Sequence, residues 1–593
     1  MKGKKNKQAP KPKAAATPKN KNLIPGLYLV LGLVILIMYV KTVAYDFAID
    51  DKIIIVDNAY VSKGLAGFPG LIGAAFRNEL TVPGVTRPVT MFTHALEVSL
   101  FGMNPGPQHL MNILYYLFLV LLLFVLLRKH LMPSASIWLS FGVALLFAVH
   151  PVHVESVANI KGRDDILCFI FGALSMLYFF RYRKGAGKRS LWLSLLFLVL
   201  SFFSKETGFV FALLIPLSCY YTTDDDLKKA FGSAVPVLAA GAVFLIIRLA
   251  LFSNPPEHIN IYNNSLLAIA DPAQRWAMAF RILLQYLQIA FWPHPLSWDY
   301  SLGHFVVGRS TVPLALVSVA LYAGLTAFGL LTLKKKNLAG FGVLFFLIAL
   351  FPAANLVIRI ATTFGDRLLF IPIFGFCLAV GVLLQWAFSR LKTRGGAGAY
   401  VGLALLSGVF LVMSSIRVNA WKNDDTLVNT DYAYANSLRS MRAYIQNLTS
   451  IPGESRVANH QKALTLCNEA LEKYPDDWQL WYFKGVIHGV LDNPQGAREA
   501  YKKSLEYNGK NFYSLVNYAN LLADDDPAQA ITLYQQALGI KPDQAIVLGN
   551  LGILLHKAGR LDEARQMYEK SLQLNPNDAN IRNAYDILNG NQQ

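Results

Sequence analysis

Up to Ile416 the chain is built from eleven apolar stretches, near 23–43, 108–127, 136–150, 166–180, 191–204, 208–221, 233–252, 311–333, 338–358, 367–388 and 399–416. This series constrains the fold more than any other feature. A segment crossing hydrocarbon must satisfy its backbone N–H and C=O groups internally, which for single segments means a helix. With 54% apolar residues and a mean hydropathy of +0.37, the chain reads as a polytopic membrane protein and not as one large soluble core. The expected fold is all-α: a bundle of about eleven transmembrane helices followed by a helical solenoid.

The net charge of +18 invites a nucleic-acid partner, but its distribution argues against one. The bases sit in short tracts between apolar spans (Arg128-Lys129, Arg181 to Arg189, Lys228-Lys229, Lys334 to Lys336, Arg390 to Arg394), where they act as topology signals and contacts for lipid phosphates. The tail 1–22 carries Lys2, Lys4, Lys5, Lys7, Lys11, Lys13, Lys19 and Lys21 ahead of a span of about 20 residues with no small-residue cleavage site, so it is expected to be a retained cytoplasmic tail. An odd number of spans then places the C-terminal third on the outer side. The weak point is 191–221, where each half measures only about 21 Å of helix against a core of about 30 Å. Ser204-Lys205-Glu206-Thr207 is either a tip recessed below the outer surface or a polar break in one long span. Residues 276–293, with Arg281, Gln285 and Gln288 among aromatics, read as an interfacial helix. The polar loop 44–107 is too long to be a mere connector. Cys168, Cys219, Cys377 and Cys467 are scattered with no CxxC, so neither a disulfide framework nor a zinc site is indicated.

After Trp421 the composition changes. The segment 421–455 reads as a linker with the first helices of a repeat region, and 456–593 as the repeats themselves, outside the membrane on the outer side. Leu551-Gly552, Ala564, Tyr568 and Pro576 occupy the small, aromatic and proline positions of a tetratricopeptide repeat. Preceding copies read Ala519, Ala530, Tyr534, Ala537, Pro542 and Gly485, Ala497, Tyr501, with a half-copy at Ala463, Ala470, Pro475. The period is 33 to 34 residues, and 579–588 is expected to cap the array. Asn517, Asn550 and Asn583 recur every 33 residues. The first two lie two positions before the small residue of the repeat's first helix, a side that normally lines the concave groove, while the earlier repeat has Phe483 there. An amide both donates and accepts, so this ladder could clamp an extended peptide backbone; chance placement on polar helix faces is the alternative.

Charged residues of both signs cluster at one set of span ends: Asp50, Asp51, Asp57, Arg87, His94 and Glu97 in the first loop, then His150, His153, Glu155, Arg163, Asp164 and Asp165, then Lys205-Glu206, and later Asp299, Arg359, Asp366 and Arg367. One-sided enrichment suits an active site better than a transport path through the bilayer middle. Each piece has a plainer reading. Asp50-Asp51 could cap a solvated helix end, Arg163 could salt-bridge a helix start with Asp164 and Asp165, Lys205-Glu206 could neutralise itself, and Arg367 could snorkel from a span end. His150-Pro151-Val152-His153 with Glu155 has ligand-like spacing, but the proline interrupts the helix face and no third ligand is evident. A divalent metal is possible and not indicated.

Several segments in order carry a resemblance: AIDDKIIIVDN (48–58), TRPVTMFTHALEVSLFGMNPGPQHLMNILYY (86–116), HPVHVESVANIKGRDDILC (150–168), SKETG (204–208), WPHPLSWDYS (292–301), FPAANLV (351–357) and GDRLLFIPIFGFC (365–377). Together they resemble the transmembrane and tetratricopeptide-repeat-containing protein O-mannosyltransferases of the GT-C glycosyltransferase fold. The resemblance implies an inverting enzyme with a polyprenyl-phosphate sugar donor, mannose in the family, and a Ser/Thr hydroxyl acceptor on proteins. It places the catalytic base on Asp50, with Asp51 close behind. It puts donor phosphate and sugar contacts on Arg87, His150, His153, Glu155, Arg163, Asp165, Lys205, Glu206, Asp366 and Arg367. Asp366 stands where the family commonly has Glu. The repeat array is shorter than in animal members, which suggests a bacterial relative in the inner membrane. The implied partners are the lipid-linked donor, a protein or peptide acceptor held by the repeats, and the membrane, with no nucleic acid. Transfer to a lipid or cell-surface glycan, or a non-enzymatic membrane-anchored scaffold, remain the competing readings.

Overall fold

The computed structural model describes residues 23–77, 79, 86–251, 260–357, 359–390, 397–435, 437–450, 453 and 455–590. The basic tail 1–22 and the basic positions Lys392 and Arg394 lie outside them. Every described element is helical, and among the described residues there is no strand. Two units emerge: residues 1–298 with 307–427, and residues 299–306 with 428–593.

In the first unit, each of the eleven apolar stretches contains a helix. Among the described residues six are long and apolar enough to cross a bilayer: Leu23–Ala44, Pro105–Leu131, Ile160–Arg183, Thr311–Leu331, Pro372–Arg390 and Ala397–Lys422. A seventh span arises if Leu227–Ser233 and Val235–Arg248, bent by 63°, count as one. The expected eleven outnumber these because several segments fold into short helices. Ile137–Ala148 and Phe211–Thr222 have 12 residues each, about 18 Å of helix. The helix is interrupted at 204–208: helix Lys188–Ser204 ends on an extended Lys205, and Glu206–Val210 forms a 3-10 segment before the next helix.

The membrane helices bury one stripe and leave the other apolar face exposed, as lipid-facing helices do. In the first helix Leu27, Leu31, Ile35 and Met38 are buried while Leu29, Leu33 and Ile37 are exposed. Leu338–Leu350 crosses Pro372–Arg390 at a pair of glycines: a Cβ on Gly342 would lie 2.6 Å from the Gly375 carbonyl oxygen, and one on Gly375 2.5 Å from that of Gly342. Small residues at such crossings let backbones approach in lipid, where no hydrophobic force drives helices together. The amphipathic 276–293 segment forms helix Pro272–Phe291. Its Asp271 side chain accepts from Ala273 N, and Met278, Ile282, Leu283, Tyr286 and Ile289 lie on the buried side.

In the second unit, helix pairs follow the repeat period. Asp477, Asn493, Asn511, Asp526 and Asp578 cap helix starts through their side chains. Ala497, Ala530 and Ala564 are fully buried where paired helices touch, and Tyr501, Tyr534 and Tyr568 pack beside them. Ala579–Leu588 closes the array. The loop 299–306 packs with this unit: Asp299 accepts from Ser301 Oγ at 2.7 Å and from Ser437 Oγ, and Leu438 N donates to Leu302 O at 2.7 Å.

Candidate functional site

The first unit gathers the charged span ends into one cluster. Its centre is the turn Ala48–Lys52. Asp51 is fully buried, and its two oxygens are committed: Oδ1 accepts from Lys161 N at 2.7 Å and Oδ2 from Ala48 N at 3.2 Å. Burial pushes its carboxyl up to about 7, and the Asp50 charge adds to this, against the lowering effect of backbone hydrogen bonds from Lys161, Ala48 and Ile160. Asp50 points the other way. Its side chain is 25% exposed and lies between two cations, Lys161 Nζ at 3.6 Å and Arg367 NH1 at 3.4 Å. The two adjacent carboxylates therefore differ: one is buried and pins the turn, and the other is partly exposed between two cations.

Arg367 also donates from NH1 to Glu155 Oε1 at 2.8 Å. Burial raises the Glu155 carboxyl, with Arg367 and Lys161 opposing. Arg367 thus turns away from a simple snorkelling role and joins Glu155 to Asp50, while its neighbour Asp366 is buried. A second knot adjoins. Arg87 grips Glu206 with both Nε (3.0 Å) and NH2 (2.8 Å) and reaches Asp164 through NH1. Lys205 Nζ meets Asp165 Oδ2 at 2.6 Å and Asp164 Oδ1 at 3.4 Å. Lys205-Glu206 is therefore not a self-neutralising pair, because each member is bound to a different partner. Burial works to raise the Glu206 carboxyl, but Arg87 and Arg248 outweigh it and hold it well below the usual range. For Lys205, burial is outweighed by Asp164 and Asp165, which raise it. Lys161 lies within electrostatic reach of Arg367, Asp164, Asp50 and Arg87, so the two knots form one field.

Arg163 does not face this field. It is fully buried, with Nε on Asn112 Oδ1 (2.7 Å), NH2 on Gln108 O (3.0 Å) and NH1 on Thr93 Oγ1 (3.2 Å) and Glu97 Oε1 (2.8 Å). Its donors tie three helices together, in place of the plainer reading of a helix start salt-bridged with Asp164 and Asp165. His150 is also buried. Its Nε2 contacts Ala290 O at 3.0 Å, and its Nδ1 accepts from Val152 N at 3.4 Å. His153 is buried among Tyr116, Phe147 and Phe370, where burial holds it well below its ordinary range and therefore neutral. Among the described residues no three His, Cys, Asp or Glu side chains are placed to hold a metal ion.

Two residues of the cluster escape the sequence reasoning. Lys161 lies inside the quoted 150–168 segment but was masked by its more obvious neighbours. Arg248, 4.0 Å from Glu206 Oε1, is an isolated cation at the end of an apolar run, a signal that could have marked it. In the repeats, Asn517 lies within hydrogen-bonding reach of Tyr482 and Tyr501. Asn550 Nδ2 donates to Asn520 Oδ1 at 3.3 Å and approaches the Tyr534 hydroxyl at 3.5 Å. Asn583 is exposed. The ladder is thus partly braced by the repeats' own tyrosines, a partnership the spacing did not reveal.

These features define a multi-pass helical membrane protein with a charge-dense cluster at its span ends and C-terminal tetratricopeptide repeats. Tetratricopeptide-repeat family models match residues 455–511 and 521–586. Over most of its length the chain is homologous to the TMTC-type proteins. It is 24% identical to the human "Protein O-mannosyl-transferase TMTC3" over 84% of this chain and 58% of that protein. It is 25% identical to human TMTC4 (67% and 60%) and 24% identical to Drosophila melanogaster Tmtc3 (80% and 59%), both also named protein O-mannosyl-transferases. The chain spans about 58% of the length of the TMTC3 relatives it matches. Among solved structures, that of the MamA protein aligns with 25% of this chain and 82% of its own at 17% identity, with a TM-score of 0.23, too low to bear on the fold.

Proposed function

We propose that this chain is a membrane glycosyltransferase of GT-C type that moves a sugar, mannose by its relatives' names, from a polyprenyl-phosphate donor to a Ser/Thr hydroxyl of a protein. The observation that carries the reading is the asymmetry of the aspartate pair: Asp50 reachable beside Lys161 and Arg367, Asp51 buried behind it. In this mechanism Asp50 takes the proton from the acceptor hydroxyl as its oxygen attacks the anomeric carbon. The bond from that carbon to the phosphate oxygen breaks with inversion, and the bonding pair leaves on the phosphate. A phosphate is already a good leaving group, so fixed cations that stabilise its charge suffice in place of a second acid. Lys161 and Arg367, which hold Asp50 at 3.6 and 3.4 Å, together with Arg87, Lys205 and Arg248, are the cations that would serve. Glu155, Glu206, Asp164, Asp165 and Asp366 orient them or meet the sugar hydroxyls. His150, His153 and Arg163 support the site from within the core.

In this reading the eleven apolar helices zigzag, with the N-terminal tail cytoplasmic and both the charged cluster and the repeats outside. The Asn517, Asn550 and Asn583 ladder presents the acceptor chain. The decisive assay is transfer from a labelled polyprenyl-phosphate sugar in proteoliposomes. Asp50→Asn is expected to lower kcat by about 10²- to 10⁴-fold, the range for losing a general base, with the unfolding midpoint unchanged. Intact turnover by Asp50→Asn overturns the assignment. Orientation is checked by placing a cysteine at Asp562, whose side chain is 92% exposed. Labelling only after permeabilisation would put the repeats inside and remove the presentation role.

A further inference from the structure

We propose that Asp424, in the segment that leads from the last apolar helix toward the repeats, is a positioning residue that sets the conformation of the Asp50 turn. The inference rests on the reading of Asp50 as the base. Ile49, immediately before Asp50, has a φ of +43°. A β-branched residue enters this left-handed region only when its surroundings impose it. On one side the turn closes on itself: Asp51 N donates to Ala48 O at 2.9 Å and Lys52 N to Ile49 O at 3.2 Å. On the other side Asp424 supplies the restraint. Its Oδ1 accepts from Ile49 N at 2.7 Å, and its Oδ2 pairs with Lys52 Nζ.

Asp424 is the last of a series of contacts between the same two stretches of chain. Lys41 Nζ donates to Ser415 O (2.8 Å) and Asn419 Oδ1 (2.6 Å), and Asp46 N donates to Lys422 O (3.1 Å). The segment 415–424 therefore runs alongside 41–52 and ends with a carboxylate on the one backbone N–H that precedes the base. Freed from that acceptor, Ile49 would relax toward negative φ. A rotation at this residue swings the Asp50 carboxylate away from Lys161 and Arg367, because Asp51 anchors the far side of the turn to Lys161 N. Asp424 has no contact of its own with the cluster cations, so its effect passes through the turn.

The test compares wild type with Asp424→Asn, Asp424→Ala, Lys52→Met, Ile49→Gly and the Ile49→Gly/Asp424→Ala double variant, with Asp50→Asn as reference. Sugar transfer and amide exchange of the peptide 46–52 are both read. Asp424→Ala is expected to lower kcat by about tenfold, with the donor KM changed less than about twofold, as for an interaction that orients a catalytic group. Asp424→Asn and Lys52→Met each keep an acceptor for Ile49 N and lose only the ion pair, so both should lose less activity than Asp424→Ala. Glycine adopts positive φ without penalty, so Ile49→Gly should restore at least about threefold of the activity lost in Asp424→Ala. Exchange of 46–52 should rise in Asp424→Ala. Unchanged exchange, or full activity in Asp424→Ala while Asp50→Asn is inactive, overturns the inference alone. Raised exchange with full activity in Asp50→Asn shows that the turn is clasped and that the base reading is what fails.

Discussion

The buried Asp51 makes a prediction whose size follows from its surroundings. A carboxyl with an ordinary midpoint of 3.8 in the unfolded chain and about 7 in the folded protein binds more protons when folded throughout that window. The stability it contributes is fully present below about pH 4 and is lost as pH rises through about 7. At about 1.4 kcal/mol for each tenfold change in proton affinity, the loss amounts to about 4 kcal/mol across the window. Glu97 and Glu155 are raised in the same direction by burial, so wild type alone cannot isolate the effect. The comparison with Asp51→Asn can. Asparagine does not titrate, and it has one acceptor oxygen where Asp51 uses two, for Lys161 N and Ala48 N. Leaving one of those buried N–H groups without a partner costs about 1–3 kcal/mol at acidic pH. The stability advantage of wild type over Asp51→Asn should therefore be largest near pH 4.5 and shrink or reverse by pH 8. Unfolding of the detergent-solubilised protein, followed by intrinsic fluorescence from pH 4.5 to 8, measures the difference. Parallel pH curves for the two proteins would refute the placement of Asp51 as a desolvated, backbone-bonded carboxyl.

Two further perturbations test the support behind the site. Arg163→Met leaves Glu97, 4% exposed, without its 2.8 Å partner, and breaking a buried pair this way costs about 3–5 kcal/mol. Adding Glu97→Gln should return part of it, and a single variant as stable as wild type in denaturant titration would contradict Arg163's structural role. Gly162→Ala would set a Cβ 2.5 Å from the Ser156 Cα, a backbone atom that cannot swing aside. It should cost about 1–3 kcal/mol by overpacking and, by displacing Lys161 N from Asp51, lower transfer activity as well; an unchanged melt and unchanged turnover would show that the turn tolerates the shift.

Much of this protein can be read without coordinates. Apolar runs with little internal charge determine that those stretches form helices in lipid, because no other single-segment form satisfies the backbone there. The 33-residue recurrence of small, aromatic and proline positions determines the repeats, because each copy must bury the same face against its neighbours. The span-end charges could also be collected from sequence, since intramembrane and boundary charges are rare enough to stand out. Tertiary structure alone decided how they divide. Arg163 and Arg367 look alike in sequence, yet one is enclosed by three helices and the other lies between Glu155 and Asp50. Asp50 and Asp51 are neighbours with identical side chains, and only the left-handed Ile49 and the approach of Asp424 turn one outward and bury the other. Periodicity reports which face of an element is apolar, but not which residue 375 positions away arrives to complete a hydrogen bond beside a buried carboxylate and a partly exposed one.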